Sequence, residues 1–298
     1  MKPAYTILDQ IALLKQRGVL FEDETKAAGY LQNISYYRLK GYWWDLQSDP
    51  IQHIFCANTY FEDIVELYCF DKQFRIILFD AIESIEIALR TKLIYHLSIS
   101  YGGLWYKNAI LFKDTTVHQY VIGELQKEFD RSQEIFIKNQ RSRYPGQDAD
   151  AWKILEVASM GTLSKLYKNL QNQLPQKAAI ANEMGINSTL ILSSWLESIA
   201  YIRNIIAHHA RLWNRTMVKK PCMQLNNPVG AWFSKPLKQG QLDKPFSTIS
   251  CMVYLCNMLS PLPAIRAKII DLFNVHPKVP IYKLGFFNGW QNEPLWRT

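Results

Sequence analysis

The chain has 298 residues, of which 48% are hydrophobic and 20% are charged, and this composition excludes an intrinsically disordered chain and suffices for a sizeable core. Its five cysteines form no CxxC pair, which argues against a zinc site or a disulfide framework and favours a reducing cytoplasm. The first residues lack the apolar stretch of a signal peptide, and no apolar run of about eighteen residues predicts a membrane-spanning helix.

Helical periodicity dominates the chain and strand signals are weak, so we predict an all-α fold. Residues 34–44, ISYYRLKGYWW, form an aromatic and basic segment near the start. In chain order, the predicted helices cover residues 5–17, 22–32, 60–98 (one or two helices), 117–140, 152–170 (interrupted near Met160 and Gly161), 188–214 (capped by Asn187 or Ser188), 248–259 and 262–274. We divide the chain into an N-terminal helical extension (1–50), a helical core (51–216) and a basic, loop-rich C-terminal helical region (217–298).

The positive charge is concentrated in the last third of the chain. The formal net charge is +8; residues 1–200 carry 21 Lys and Arg against 23 Asp and Glu, and residues 201–298 carry 13 against 3. Such a concentration attracts phosphate polyanions by counterion release. We expect a nucleic-acid partner, and a solvated basic surface or an anionic membrane surface is the alternative.

The segment 201–215, YIRNIIAHHARLWNR, carries the residue types that phosphoryl transfer on RNA needs. Histidine is the natural residue type for the base that takes the proton of the 2′-hydroxyl, and His208 is the candidate for this role. Arg203 offers a guanidinium that can stabilise charge on phosphate oxygens, and Asn204 can orient either group. The alternative is a hydrogen-bonding Asn and two surface histidines on an ordinary amphipathic helix, because an Arg-x4-His spacing alone is common.

Helix geometry constrains how these three side chains could act together. Asn204 and His208 share a helix face, but Arg203 and His208 are separated by roughly 140° around the axis and about 7.5 Å along it. Two copies of the helix around a symmetry axis could assemble a composite site. A metal site is disfavoured, because His208 and His209 point about 100° apart on a helix and the segment contains no carboxylate.

The segment RNIIAHHARLWNR resembles the signature of the Abi family of the AbiD/AbiF type, which are abortive-infection proteins of the HEPN superfamily. Four further segments resemble the same family in the same order, so the likeness extends over nearly the whole chain. They are LKQRGVLFEDETKAAGYLQNISYYRLKGYWW, FDKQFRIILFDAIESIEIALR, WKILEVASMGTLSKLYKNL and LGFFNGWQNEPLW.

The resemblance implies a HEPN-type helical bundle that acts as a dimeric, metal-independent endoribonuclease in anti-phage defence. It implies no cofactor, products with a 2′,3′-cyclic phosphate and a 5′-hydroxyl, and a small structured non-coding RNA that binds and regulates the toxin. The family's Arg, polar residue and His fall on Arg203, Asn204 and His208. His209 occupies the family's second His and is a candidate for catalytic support.

Further cations are candidates for RNA contacts. Arg38 and Lys40 lie among aromatics that could stack on unpaired bases, or that could instead dock this segment onto the bundle. Candidate phosphate contacts in and after the motif are Arg211, Arg215, Lys219, Lys220, Lys235, Lys238 and Lys244. Glu86 and Arg90 are four apart and are predicted to pair on one helix face.

Two other functions remain open at this stage. The chain could be a non-catalytic RNA-binding module, in which the Arg and His only contact phosphate, or an interaction protein that senses a phage component. The RNA-binding module is separated from the ribonuclease by whether His208→Ala abolishes toxicity while RNA binding survives. The second predicts normal function after both Arg203→Ala and His208→Ala.

Overall fold

The computed structural model describes residues 4–259 and 265–297. Helix accounts for 63% of the structure and strand for 3%, so the predicted all-α class is confirmed. The described chain divides into two compact units, each assembled from separated segments. Unit 1 comprises the described residues of Met1–Ile76, Arg211–Trp213 and Ile269–Pro280, and unit 2 those of Ile77–Ala210, Asn214–Lys268 and Ile281–Thr298.

Unit 1 is built from short helices and a small antiparallel ribbon. Thr6 caps its first helix, and its side chain accepts a hydrogen bond from the N–H of Asp9, as a capping box requires. In the ribbon, Gln47 pairs with Phe55. The elements are α1 (Ile7–Gln16), α2 (Glu24–Ile34), α3 (Tyr36–Lys40), a 3₁₀ turn at Trp44–Leu46, β1 (Gln47–Asp49), β2 (Ile54–Phe55), the first part of α4 (Phe61–Tyr101), and residues 269–275 of the last helix, α13 (Ile265–Val275).

Unit 2 is a helical bundle around α10, which packs against helices of the same unit on several sides. Its 14-residue helix α12 is buried over almost its whole length, as expected of a largely hydrophobic helix without charged residues. Besides the rest of α4, the helices are α5 (Thr115–Arg131), α6 (Ile135–Arg143), α7 (Ala151–Ile154), α8 (Met160–Asn169), α9 (Pro175–Glu183), α10 (Thr189–Ala207), α11 (Gln239–Leu242) and α12 (Pro245–Met258). The 3₁₀ turns lie at Trp105–Lys107, Ala109–Leu111, Leu155–Val157, Ile281–Leu284 and Trp290–Asn292.

Two predicted helices have wrong boundaries, and one helix of the structure is not predicted from the sequence. The predicted helix 117–140 is two helices, because the chain becomes extended at Ser132. The guanidinium of Arg141 then holds the junction by donating to the carbonyl of Asp130 at 2.6 Å. Helix α9 has no predicted counterpart, since it is short and has little amphipathic patterning, and it starts with Pro175 at a position that proline favours. The predicted helix 188–214 ends at Ala207.

Candidate functional site

The motif occupies the last turn of α10 and the turn that follows it. The helix begins where predicted, with the Ser188 hydroxyl accepting from the N–H of Ile191. It ends in a Schellman motif, in which the N–H of His209 donates to Ile206 and the N–H of Ala210 donates to Ile205, both at 2.9 Å. His209 takes the left-handed conformation that this motif needs, with φ of 53°.

This ending separates the two histidines. His208 is the C-cap residue and is exposed. His209 has left the helix, so the two side chains are not adjacent positions of one continuous helix. The structure therefore gives His209 a backbone role at the helix end, besides its place as a candidate for catalytic support.

Arg203 lines a small hollow of about 230 Å³ on the α4 side of α10, which we call the Arg203 hollow. The hollow is lined by Phe79, Ile82, Glu83, Glu86, Ile87, Arg90 and Arg203. Glu86 accepts from the Arg90 guanidinium at 2.9 Å, so the predicted pair is confirmed. Arg90 also donates to the carbonyl of Ala158 at 3.0 Å.

The charges of Arg90 and Arg203 act on the carboxyl group of Glu86. Burial raises the pKa of its carboxyl, while the guanidiniums of Arg90 and Arg203 and a hydrogen bond from the Met160 backbone oppose that rise. Glu86 and Arg203 line the same hollow, and their opposite charges attract each other.

Asn204 opens onto a different surface from its neighbour Arg203. It is exposed and lines a groove of about 840 Å³ formed by α5, α8 and α10. Within one copy of the chain, the structure therefore places Arg203 and Asn204 in separate hollows and His208 at the exposed helix end. The three candidate side chains share one helix end, but they do not converge on a common hollow.

Asp71 is a buried anchor that the sequence analysis missed. Its carboxylate accepts from the Tyr42 hydroxyl at 2.7 Å, the Arg75 guanidinium at 3.1 Å and the N–H groups of Leu212 and Trp213 at 3.2 and 2.7 Å. Burial raises the pKa of Asp71, while these donors oppose that rise. All five residues belong to unit 1, and Asp71 thereby fixes the backbone that follows the motif.

The candidate cations of unit 1 lie in different settings. Arg38 is exposed on α3, and the ammonium of Lys40 lies 5.4 Å from the ring centre of Trp44. Trp43 is buried and Trp44 is 46% exposed. Packing onto the rest of the protein therefore explains the Trp43 indole but not the Trp44 indole. The side chain of Arg211 lies close to the backbone of Gly41. A Cβ added at Gly41 would be 3.4 Å from the Cδ of Arg211.

Several candidate cations of unit 2 are ion-paired or hydrogen-bonded. Lys219 pairs with Glu197 at 2.7 Å, and Lys220 pairs with Asp243. Lys244 donates to the side-chain oxygen of Asn214 at 2.7 Å. Lys235 and Lys238 are exposed, and Arg215 is half-buried. Carboxylates thus neutralise part of the basic excess of the last third.

The described residues contain neither a metal-binding cluster nor a membrane-spanning helix. Over residues 4–259 and 265–297, no group of three or more His, Cys, Asp or Glu side chains is arranged to hold a metal ion. In the same part of the chain, every helix falls short of the length or the apolar character that crossing a bilayer demands.

Comparisons with known proteins give one match. No curated protein and no solved structure matches the chain significantly. The family model described as "Abi-like protein" matches residues 29–214, which is more than half of the chain and includes Arg203, Asn204 and His208. The chain therefore belongs to the family of Abi-like proteins.

Proposed function

We propose that this Abi-like protein is a metal-independent endoribonuclease of the AbiD/AbiF type, within the HEPN superfamily, that acts in abortive-infection defence. Family membership indicates the defence role. The observation that carries the nuclease proposal is the placement of Arg203, Asn204 and His208 together at the C-terminal end of α10. A base, a cation and a polar orienting group are the parts that cleavage of RNA next to a 2′-hydroxyl requires.

The proposed reaction is an internal transesterification. His208 takes the proton of the 2′-hydroxyl, and the 2′ oxygen forms a bond to the neighbouring phosphorus. The bond between phosphorus and the 5′ oxygen breaks, and that oxygen leaves with a proton taken from water. Arg203 stabilises the charge that gathers on the non-bridging oxygens. The products are a 2′,3′-cyclic phosphate and a 5′-hydroxyl, and no metal takes part because side chains supply both base and cation.

We also propose that the active form is a homodimer. One copy places Arg203 and Asn204 in separate hollows, which supports a site completed by groups from a second copy. Phe79 and Ile87 line the Arg203 hollow and are 44% and 50% exposed. Their burial against a symmetry-related copy would bring two motif helices together, as a two-fold interface does.

The nuclease proposal is tested by incubating purified protein with RNA in EDTA. We expect discrete cleavage by the wild type and a loss of about 10²-fold or more in His208→Ala, the contribution of a general base. His96→Ala is the control, because His96 pairs with Glu183 outside the motif and its loss should leave cleavage intact. Cleavage that requires Mg²⁺, or that survives His208→Ala, would overturn the proposal.

We propose further that a small structured non-coding RNA binds the protein and regulates it. The net charge of +10 over residues 201–298 supports an RNA partner. Sequencing the RNA that co-purifies with the protein tests this, and one discrete species is expected. A discrete RNA with no cleavage under any condition would favour a non-catalytic binding module, and the absence of RNA would overturn the partner proposal.

A further inference from the structure

The groove onto which Asn204 opens is lined on several sides by lysines; we call it the lysine groove. Its volume of about 840 Å³ is in the range of sites that enclose small organic ligands. Four lysines and two carboxylates line it, a net charge of +2. These are Lys113, Lys165, Lys168 and Lys219 with Asp114 and Glu197.

The two carboxylates of the lysine groove have different roles. Asp114 caps helix α5, and one of its oxygens accepts from the N–H groups of Thr116 and Val117 at 2.8 and 3.0 Å. This oxygen is occupied by the protein's own backbone. Asp114 is therefore a structural part of the groove wall.

Glu197 instead bridges two lysines of the groove. One of its oxygens accepts from Lys168 at 2.6 Å, and the other accepts from Lys219 at 2.7 Å. Hydrogen bonds from these two lysines lower the pKa of Glu197. Two ammonium groups that converge on an anion with two oxygens make a seat for a phosphate as well as for a carboxylate.

An aromatic ring and the motif border the same groove. Tyr120 is 52% exposed, and the ammonium of Lys165 lies 4.4 Å from its ring centre. Glu197, Tyr201 and Asn204 all line the groove, and their spacing of four and then three residues puts them on one face of α10. The face that carries Glu197 thus leads directly to Asn204 of the motif.

We propose that the lysine groove binds single-stranded RNA, with Lys168 and Lys219 seating a backbone phosphate in place of Glu197 and Tyr120 offering a ring to a base. The proposal rests on the ribonuclease function, since it makes the groove the path by which the strand reaches the motif. Proteins hold unpaired nucleic acid by placing cations along its phosphate backbone and an aromatic ring against a base. Glu197 then acts as an internal competitor of the phosphate.

This competition predicts that substitution of the lysines and substitution of Glu197 change the affinity for RNA in opposite directions. Lys168→Gln and Lys219→Gln should each weaken RNA binding by about three- to tenfold and lower the slope of log K against log salt by about one. Glu197→Gln should tighten binding by about two- to fivefold, because it removes a negative charge from the path of the phosphate. A merely structural network would predict that all three substitutions act in the same direction.

The experiment measures fluorescence anisotropy of a 5′-labelled, unstructured RNA oligonucleotide at several salt concentrations. All variants carry His208→Ala, so that cleavage does not interfere. The matched control is Glu183→Gln, because Glu183 also bonds two cations, Lys92 at 2.7 Å and His96 at 2.8 Å, but lies outside the lysine groove. Circular dichroism confirms that each variant folds.

The outcomes separate this inference from the nuclease proposal. Tighter binding by Glu197→Gln, with no change in Glu183→Gln, supports the groove even if the wild type never cleaves RNA. Weaker or unchanged binding by Glu197→Gln, or normal binding by both lysine variants, overturns the groove even if cleavage is established. An acidic peptide that binds the groove more tightly than RNA, with the same dependence on Lys168 and Lys219, would also overturn it.

Discussion

Replacing Asp71 by Asn is expected to destabilise the protein severely. The carboxylate is fully buried and accepts from a guanidinium, a phenolic hydroxyl and two backbone N–H groups. An amide presents its own N–H groups to part of this ring of donors and leaves Arg75, which is 6% exposed, without its counter-charge. Removing one partner of a buried ion pair costs about 3–5 kcal/mol.

The expected magnitude is large compared with the stability of a typical protein, which is about 5–15 kcal/mol. Urea unfolding followed by circular dichroism measures it, and a slope of about 3 kcal/mol per M gives a midpoint shift of about 1 M or more. The matched control is Asp80→Asn on the same helix. Asp80 pairs with Lys268 at 2.7 Å, but both side chains are nearly half exposed, so this substitution should cost about 0–1 kcal/mol.

Equal shifts for Asp71→Asn and Asp80→Asn would refute this reasoning. So would a loss of less than about 1 kcal/mol at Asp71, which is the range of an exposed pair. A double-mutant cycle with Arg75→Ala adds a second check. If the ion pair carries the effect, the loss in the double variant should be smaller than the sum of the two single losses.

Three further results are expected. Burial lowers the pKa of Lys177 to about 7. Between that pH and the ordinary lysine pKa, the unfolded chain binds one more proton than the folded chain, so the free energy of unfolding should rise with pH by up to about 1.4 kcal/mol per unit. This slope should be absent from Lys177→Met. Phe79→Asp should abolish self-association in light scattering, whereas Ile110→Asp, at a residue 82% exposed elsewhere, should not. Chemical unfolding should show His209→Val costing about 1–2 kcal/mol and His209→Gly much less, because φ there is 53°.

Each of the three has a result that would contradict it. Parallel pH profiles for wild type and Lys177→Met would mean that the buried ammonium stays protonated throughout. A Phe79→Asp variant that still self-associates would remove the α4 face from the dimer proposal. Equal stabilities of His209→Val and His209→Gly would show that the left-handed turn does not restrict this position.

The sequence predicts the helices whose signals are local. The all-α class follows from helical periodicity, and the start of α10 follows from a serine cap at Ser188. The pairing of Glu86 with Arg90 follows from their four-residue spacing. Residues close in sequence determine each of these features, so a single sequence suffices to predict them.

The features that the sequence leaves undetermined depend on distant contacts or on an unusual backbone. Helix α10 ends at Ala207 because His209 adopts a left-handed conformation, which is less common for histidine than for glycine. Asp71 is charged and lies in a helical pattern, and its burial becomes evident only when residues 212 and 213 fold back onto it. The lysine groove joins α5, α8 and α10, so no local pattern reveals it.

The measurement that tests the central claim most directly is the chemistry of the RNA ends formed in EDTA. The wild type is incubated with a defined RNA, the products are analysed by mass spectrometry, and the experiment is repeated with a single 2′-deoxy nucleotide at the cleaved position. If His208 activates a 2′-hydroxyl, the products carry a 2′,3′-cyclic phosphate and a 5′-hydroxyl, and the 2′-deoxy substitution abolishes cleavage at that position. Products with a 3′-hydroxyl and a 5′-phosphate, or cleavage that persists at the 2′-deoxy nucleotide, would contradict the proposed mechanism.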